Sequence, residues 1–148
     1  MFDLKKLIEY TLWANDNWIQ FLADTQTKEP KLWIRMSHII LAEGVWFDRI
    51  KGEKPGQDIW QQLSKTQLRQ LYAVHEQIYR TLPDGNVSRI ISYKKFNSKE
   101  YQSSVEDILM HLVLHGVHHR GQMAMIASSL ELKPVNMDYI TYCRAHDL

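Results

Sequence analysis

Apolar positions recur with helical period in four long stretches of the 148-residue chain. After Leu4, the positions Ile8, Thr11, Leu12, Asn15, Trp18, Ile19 and Leu22 return every three to four residues, and Asp3 ahead of them is a natural N-cap. A first helix is predicted over 3–24, with Thr25–Glu29 as a polar loop and Pro30 as its stop. Ile34, His38, Leu41, Ala42 and Val45 form the stripe of a second helix over 31–51, which Gly52 closes. Residues 52–63, with Gly52-Glu53-Lys54-Pro55-Gly56, read as a loop. Ser64 and Gln67 have the spacing of a capping box. Behind them Leu68, Leu71, Tyr72, His75, Ile78, Tyr79 and Leu82 mark a third helix that ends at Pro83.

The helical period then lapses over 83–103. Asp84-Gly85-Asn86 is a turn, Val87–Tyr93 is rich in strand formers, and Asn97-Ser98 leaves room for a return strand over 99–102. A structureless loop of that length is uncommon in a compact domain, so a small hairpin is predicted. Ser104 caps a fourth helix that runs to about Leu130. Its apolar residues point in every direction, which predicts a helix enclosed by its neighbours. A short last helix is expected over 137–145, after Pro134. The fold class is all-α: one four-helix bundle domain over 1–148, with long crossover loops and a β-hairpin between helices 3 and 4.

Composition narrows the function classes. Eighteen basic and seventeen acidic side chains give a net charge of +1, with no block of either sign. Nucleic-acid binding by bulk charge is not expected, because it needs a basic face to displace counterions. The apolar runs are too short to span a membrane. The N-terminal Met1-Phe2-Asp3-Leu4-Lys5 lacks the layout of a signal peptide, and the single cysteine, Cys143, fits a reducing compartment. A cytoplasmic location is expected.

Histidine changes this picture. The chain has seven, and His111, His115, His118 and His119 fall close together on helix 4. His115 and His119 are one turn apart, so their imidazoles share a face and can converge on one divalent ion. His111 and His115 have the same spacing, and both pairs remain open on geometry. A helix delivers only two such ligands, and His38, on the stripe of helix 2, is a suitable third. His75 reads as a hydrogen-bonded core histidine and His146 as exposed. Gly121 predicts a close approach by a neighbouring helix. Glu43 interrupts the apolar side of helix 2 and would need a partner if buried, for which Arg120 is a candidate; the favoured expectation is that both reach solvent without meeting. The five tryptophans read as core or interface.

The run His111-Leu112-Val113-Leu114-His115-Gly116-Val117-His118-His119-Arg120-Gly121-Gln122 resembles the His-x3-His-Arg-Gly-Gln signature of the DinB family of small four-helix proteins, which includes YfiT-like metalloenzymes. The segment from Ser37-His38-Ile39 to Trp46-Phe47-Asp48-Arg49-Ile50-Lys51-Gly52 is similar to the family's second helix. So is the tail, Glu131-Leu132-Lys133-Pro134 followed by Asp138-Tyr139-Ile140. The resemblance implies His38, His115 and His119 as metal ligands, with His111 and His118 lining the site. It also implies a homodimer, and a DNA-damage or stress-response context for expression.

Three histidine ligands leave a coordination position open, as in catalytic metal sites. Imidazole suits zinc or nickel. Some relatives use a low-molecular-weight thiol as co-substrate, so the expected activity is metal-dependent thiol transfer to small electrophiles. Hydrolysis would need a general base, and Glu106 and Asp107, the nearest carboxylates on helix 4, are two turns or more from His115. A non-catalytic metal-binding role is the reading from outside enzymology. Cys143 has no histidine at helical spacing before it and reads as incidental.

Overall fold

The computed structural model describes residues 2–56 and 58–146. Met1 of the N-terminal stretch and Gln57 of the 52–63 loop lie outside them. The elements are α1 (Leu4–Thr25), α2 (Pro30–Lys51), α3 (Lys65–Thr81) followed by a 3-10 turn (Leu82–Asp84), β1 (Ile90–Lys94), β2 (Glu100–Ser104), α4 (Val105–Ser129) and α5 (Tyr139–His146).

The helix ends follow local chemistry. Asp3 accepts from the Lys6 amide, and Ser104 from the Asp107 amide. Ser64 and Gln67 form both halves of the capping box. Gly52 ends α2 with φ of 79°, a conformation that favours glycine. Pro30 does not act as a stop. It is the first residue of α2, where its missing N–H costs nothing, and Glu29 caps it. α1 instead ends at Gln26, which takes a left-handed conformation.

α2 packs most extensively on α4, and α1 packs on both α3 and α4. The two strands pair antiparallel, with Tyr93 opposite Tyr101, and Ile91 anchors the hairpin in the core. The core is built in two large apolar blocks, with a smaller cluster of Tyr10, Ala14 and Tyr142 where α5 meets α1. Trp18, Leu22, Met36, Ile40, Leu68 and Met123 fill one. Ile8, Leu12, Phe47, Tyr79, Ile108 and Leu112 fill the other. At mid-height between them sit the buried polar residues Asn15, Glu43, His75 and Arg120.

α4 is not enclosed all round. Leu114, Val117 and Met125 are exposed, and so are His111 and His118. The apolar circumference that predicted an enclosed helix therefore misleads, because one apolar face is open.

Candidate metal centre

His38 is carried by α2, the helix that packs most extensively on α4, which presents His115 and His119 one turn apart. One nitrogen from each of the three imidazoles falls within 4.8 Å of the others. His38 and His119 are buried and His115 half-buried. Of the two helix-4 pairs it is His115 and His119 that gather with His38, while the His111 ring lies 5.5 Å from Trp46 and 5.6 Å from His115 between centroids.

Hydrogen bonds on the outer side of the rings set their tautomers. His38 Nδ1 lies 2.8 Å from the Ile59 carbonyl oxygen, which only accepts, so Nδ1 carries the proton and Nε2 keeps its lone pair. His119 Nδ1 likewise donates to Gln122 Oε1 at 2.8 Å. That oxygen also accepts from Arg35 Nε at 3.3 Å, which fixes which end of the Gln122 amide faces the ring. His38 Nε2 and His115 Nε2 approach to 3.2 Å. Two nitrogens on one tetrahedral ion at about 2.0–2.1 Å are roughly 3.3–3.5 Å apart, so the spacing suits a shared cation.

Protonation equilibria agree with this geometry. Burial pushes the His115 pKa down to about 3, with His119 and His38 adding to the shift. Burial lowers His38 against its bond to Ile59, and lowers His119 against its bond to Gln122. All three imidazoles are thereby neutral at pH 7, the form that binds metal. A divalent ion fits this donor set. Among the described residues no carboxylate joins it.

The model of the DinB family matches residues 1–147. The chain belongs to the DinB family. One curated relative, the uncharacterized protein YizA of Bacillus subtilis (strain 168), is 24% identical over 156 residues, spanning 93% of this chain and 94% of its own length.

In this DinB-family site Trp60 escaped sequence reasoning, and so did the orienting role of Gln122. Trp60, in the loop after α2, stacks on His38 with centroids 3.6 Å apart and planes 8° from parallel, while half of it stays exposed. Nothing in its spacing announces that contact. Gln122 was legible as part of the motif, and its i,i+3 spacing from His119 is the signal for its orienting role.

The remaining candidates lie elsewhere. Glu43 and Arg120 do not reach solvent, contrary to expectation. Glu43 accepts from Tyr79 at 2.6 Å and from Asn15 at 3.3 Å, with His75 Nδ1 at 3.1 Å. Arg120 donates to Asn15 Oδ1 at 2.8 Å, so Asn15 links the two buried charges. Gly121 has no close neighbour, which corrects its expected role. Gly116 is the constrained glycine: a Cβ there would lie 2.6 Å from Arg120 Nη1. His75 is buried as expected, His146 is exposed, and Cys143 sits beside the aromatic cluster of Tyr10 and Tyr142. No described helix is long and apolar enough to cross a membrane.

Proposed function

We propose that the chain holds one divalent ion, zinc or nickel, through His38, His115 and His119, and that it transfers a low-molecular-weight thiol to small electrophiles. The observation that carries this reading is the pair of outer hydrogen bonds, from His38 to Ile59 and from His119 to Gln122, which turn two bare imidazole lone pairs towards His115. When bound, the ion supplies a Lewis acid that lowers the pKa of a thiol from its usual value near 8.5. The thiol sulfur forms a bond to an electrophilic carbon, the thiol proton passes to solvent, and the leaving group departs with its electron pair.

The chain's own part is to hold three neutral imidazoles and to wall the approach. Trp60 covers the His38 ring and meets His119 edge-on at 5.9 Å, leaving an apolar surface beside the donors. The cluster offers no carboxylate to activate water, which supports thiol transfer over hydrolysis. The test is turnover of an aryl halide by zinc- or nickel-loaded protein, with and without added thiol. Thiol-dependent turnover that is lost in His38→Ala is expected. Hydrolysis of esters or amides without thiol would favour the hydrolase, and no turnover of any electrophile would favour a metal-binding role alone.

The same reading includes pairing with a second copy of the chain. Leu114, Val117 and Met125 are exposed along one face of α4, with Gly121 between them, and a self-complementary stripe of this kind suits a two-fold contact. Sedimentation should show a species of twice the 17.5 kDa chain mass, and Val117→Asp should return it to one. A monomer at micromolar concentration would refute the pairing.

A further inference from the structure

A second site is built around Arg49, at the far end of the α2–α4 seam. Its side chain is buried, and its guanidinium carbon lies 4.6 Å from the Trp46 ring centroid and 4.9 Å from that of Tyr93. The guanidinium is thus held against two aromatic faces, and Tyr93 is itself fixed by a 3.0 Å hydrogen bond between its hydroxyl and Ser103. What is missing is an anion. Arg49 Nη2 reaches only the Lys94 carbonyl, at 3.5 Å, and Nε is buried without a partner. Among the described residues no salt bridge joins a carboxylate to it, and burial pulls its pKa down. A buried guanidinium held by ring faces alone keeps its desolvation cost and leaves donors unused.

Arg49 lines a cavity of about 400 Å³ between the end of α2 and the hairpin. Lys54, Lys94 and Lys95 line it too, against a single carboxylate, Glu53. A chain with net charge +1 has therefore gathered four cationic side chains at one hollow. Phe96 and the Tyr93 ring give the hollow apolar walls. Lys95 is drawn in over the hairpin, with its ammonium 4.7 Å from the Tyr101 ring.

We infer that this cavity is a binding site for a small anion, a carboxylate or phosphate group on a compact molecule, with Arg49 as its recognition residue. A planar fork fixed by stacking matches the two oxygens of either group, and the flanking lysines add charge without geometry. The site does not depend on metal. It shares the seam with the histidines, because Arg49 lies eleven residues beyond His38, about three turns along the same helix face. The rings of His38, His115, His111 and Trp46 form a continuous row between them, with successive centroids 5.0, 5.6 and 5.5 Å apart.

The test uses the full, metal-free chain labelled with ¹⁵N, titrated at low salt with inorganic phosphate and, separately, with succinate. The Arg49 Nε–Hε resonance, assigned by its loss in Arg49→Lys, is expected to shift saturably with Kd below about 10 mM. Arg49→Met should weaken the binding, read on the Lys ammonium signals, at least about tenfold, and Lys94→Met less. His119→Ala should leave it unchanged, so failure of the metal reading would not touch this one. Preference for phosphate or for succinate identifies which anion the site takes. If Arg49→Met fails to fold by circular dichroism, Arg49→Lys takes its place, keeping the charge but losing the fork, and should bind at least several-fold more weakly. A shift that does not saturate, or equal affinity in the Arg49 variants, would overturn the inference. So would preferential binding of a single-stranded oligonucleotide with a steep salt dependence, the mark of a polyanion track.

Discussion

Gln122 gives its side-chain oxygen to His119 and Arg35 at once, so one amide sets both a tautomer and a ring orientation. Removing such a partner costs metal sites about 10–100-fold in affinity. Calorimetric titration of Gln122→Ala with zinc should show a loss in that range with stoichiometry kept. His119→Ala should lose stoichiometric binding altogether, while His146→Ala should match the parent. Full retention in His119→Ala would return the ligand role to His111 and His115. A different residue argument applies at Gly116. The added methyl of Gly116→Ala would sit 2.6 Å from Arg120 Nη1 and push the guanidinium from its seat. Asn15 would then lose a charged donor and Glu43 its nearest buried cation, a change of roughly 2–4 kcal/mol in unfolding free energy by urea titration.

At the scale of elements, the bundle was legible because helix ends are written locally. Asp3, Gly52, Ser64 and Ser104 each satisfy a neighbour within a few residues, and each holds the role its position implies. Pro30 misleads because the same residue can follow one helix or begin the next, and only the placement of Glu29 decides. The hairpin is placed correctly but shifted, with β1 over Ile90–Lys94 rather than from Val87. Contacts that depend on packing were not legible. Trp60 meets His38 through the fold of a loop, Asn15 joins Glu43 to Arg120 across three helices, and Gly121 has no close neighbour while Gly116 makes room for Arg120 of its own helix. The loop that carries Trp60 has its own consequence. Nickel at the histidines should quench part of the tryptophan fluorescence, and Trp60→Phe should remove most of that quench without changing the nickel stoichiometry. An unchanged quench would separate the loop from the site.

The whole molecule carries a signature in alkali. Burial raises the Tyr72 pKa above its ordinary value near 10, and burial with the Glu43 carboxylate raises that of Tyr79 further. The folded chain keeps both phenolic protons where the unfolded chain releases them. Their contribution is therefore full below pH 10 and is lost as pH rises beyond it. Tyr72 and Tyr79 should ionise in step with the loss of helical circular dichroism. The mid-height layer of Asn15, Glu43, His75 and Arg120 has a further consequence, for the angular phase of the helices. Apolar blocks above and below tolerate a helix that turns on its axis, but hydrogen bonds do not. Arg120 is adjacent to His119, so whatever stops α4 from turning also aims that imidazole. Replacing the set together (Asn15→Leu, Glu43→Leu, Arg120→Met) should leave a bundle that melts no lower, since buried ion sets often give way to packed apolar ones without loss. Its zinc affinity should nonetheless fall. Thermal tolerance and metal affinity would then move independently, as expected of a layer whose work is orientation.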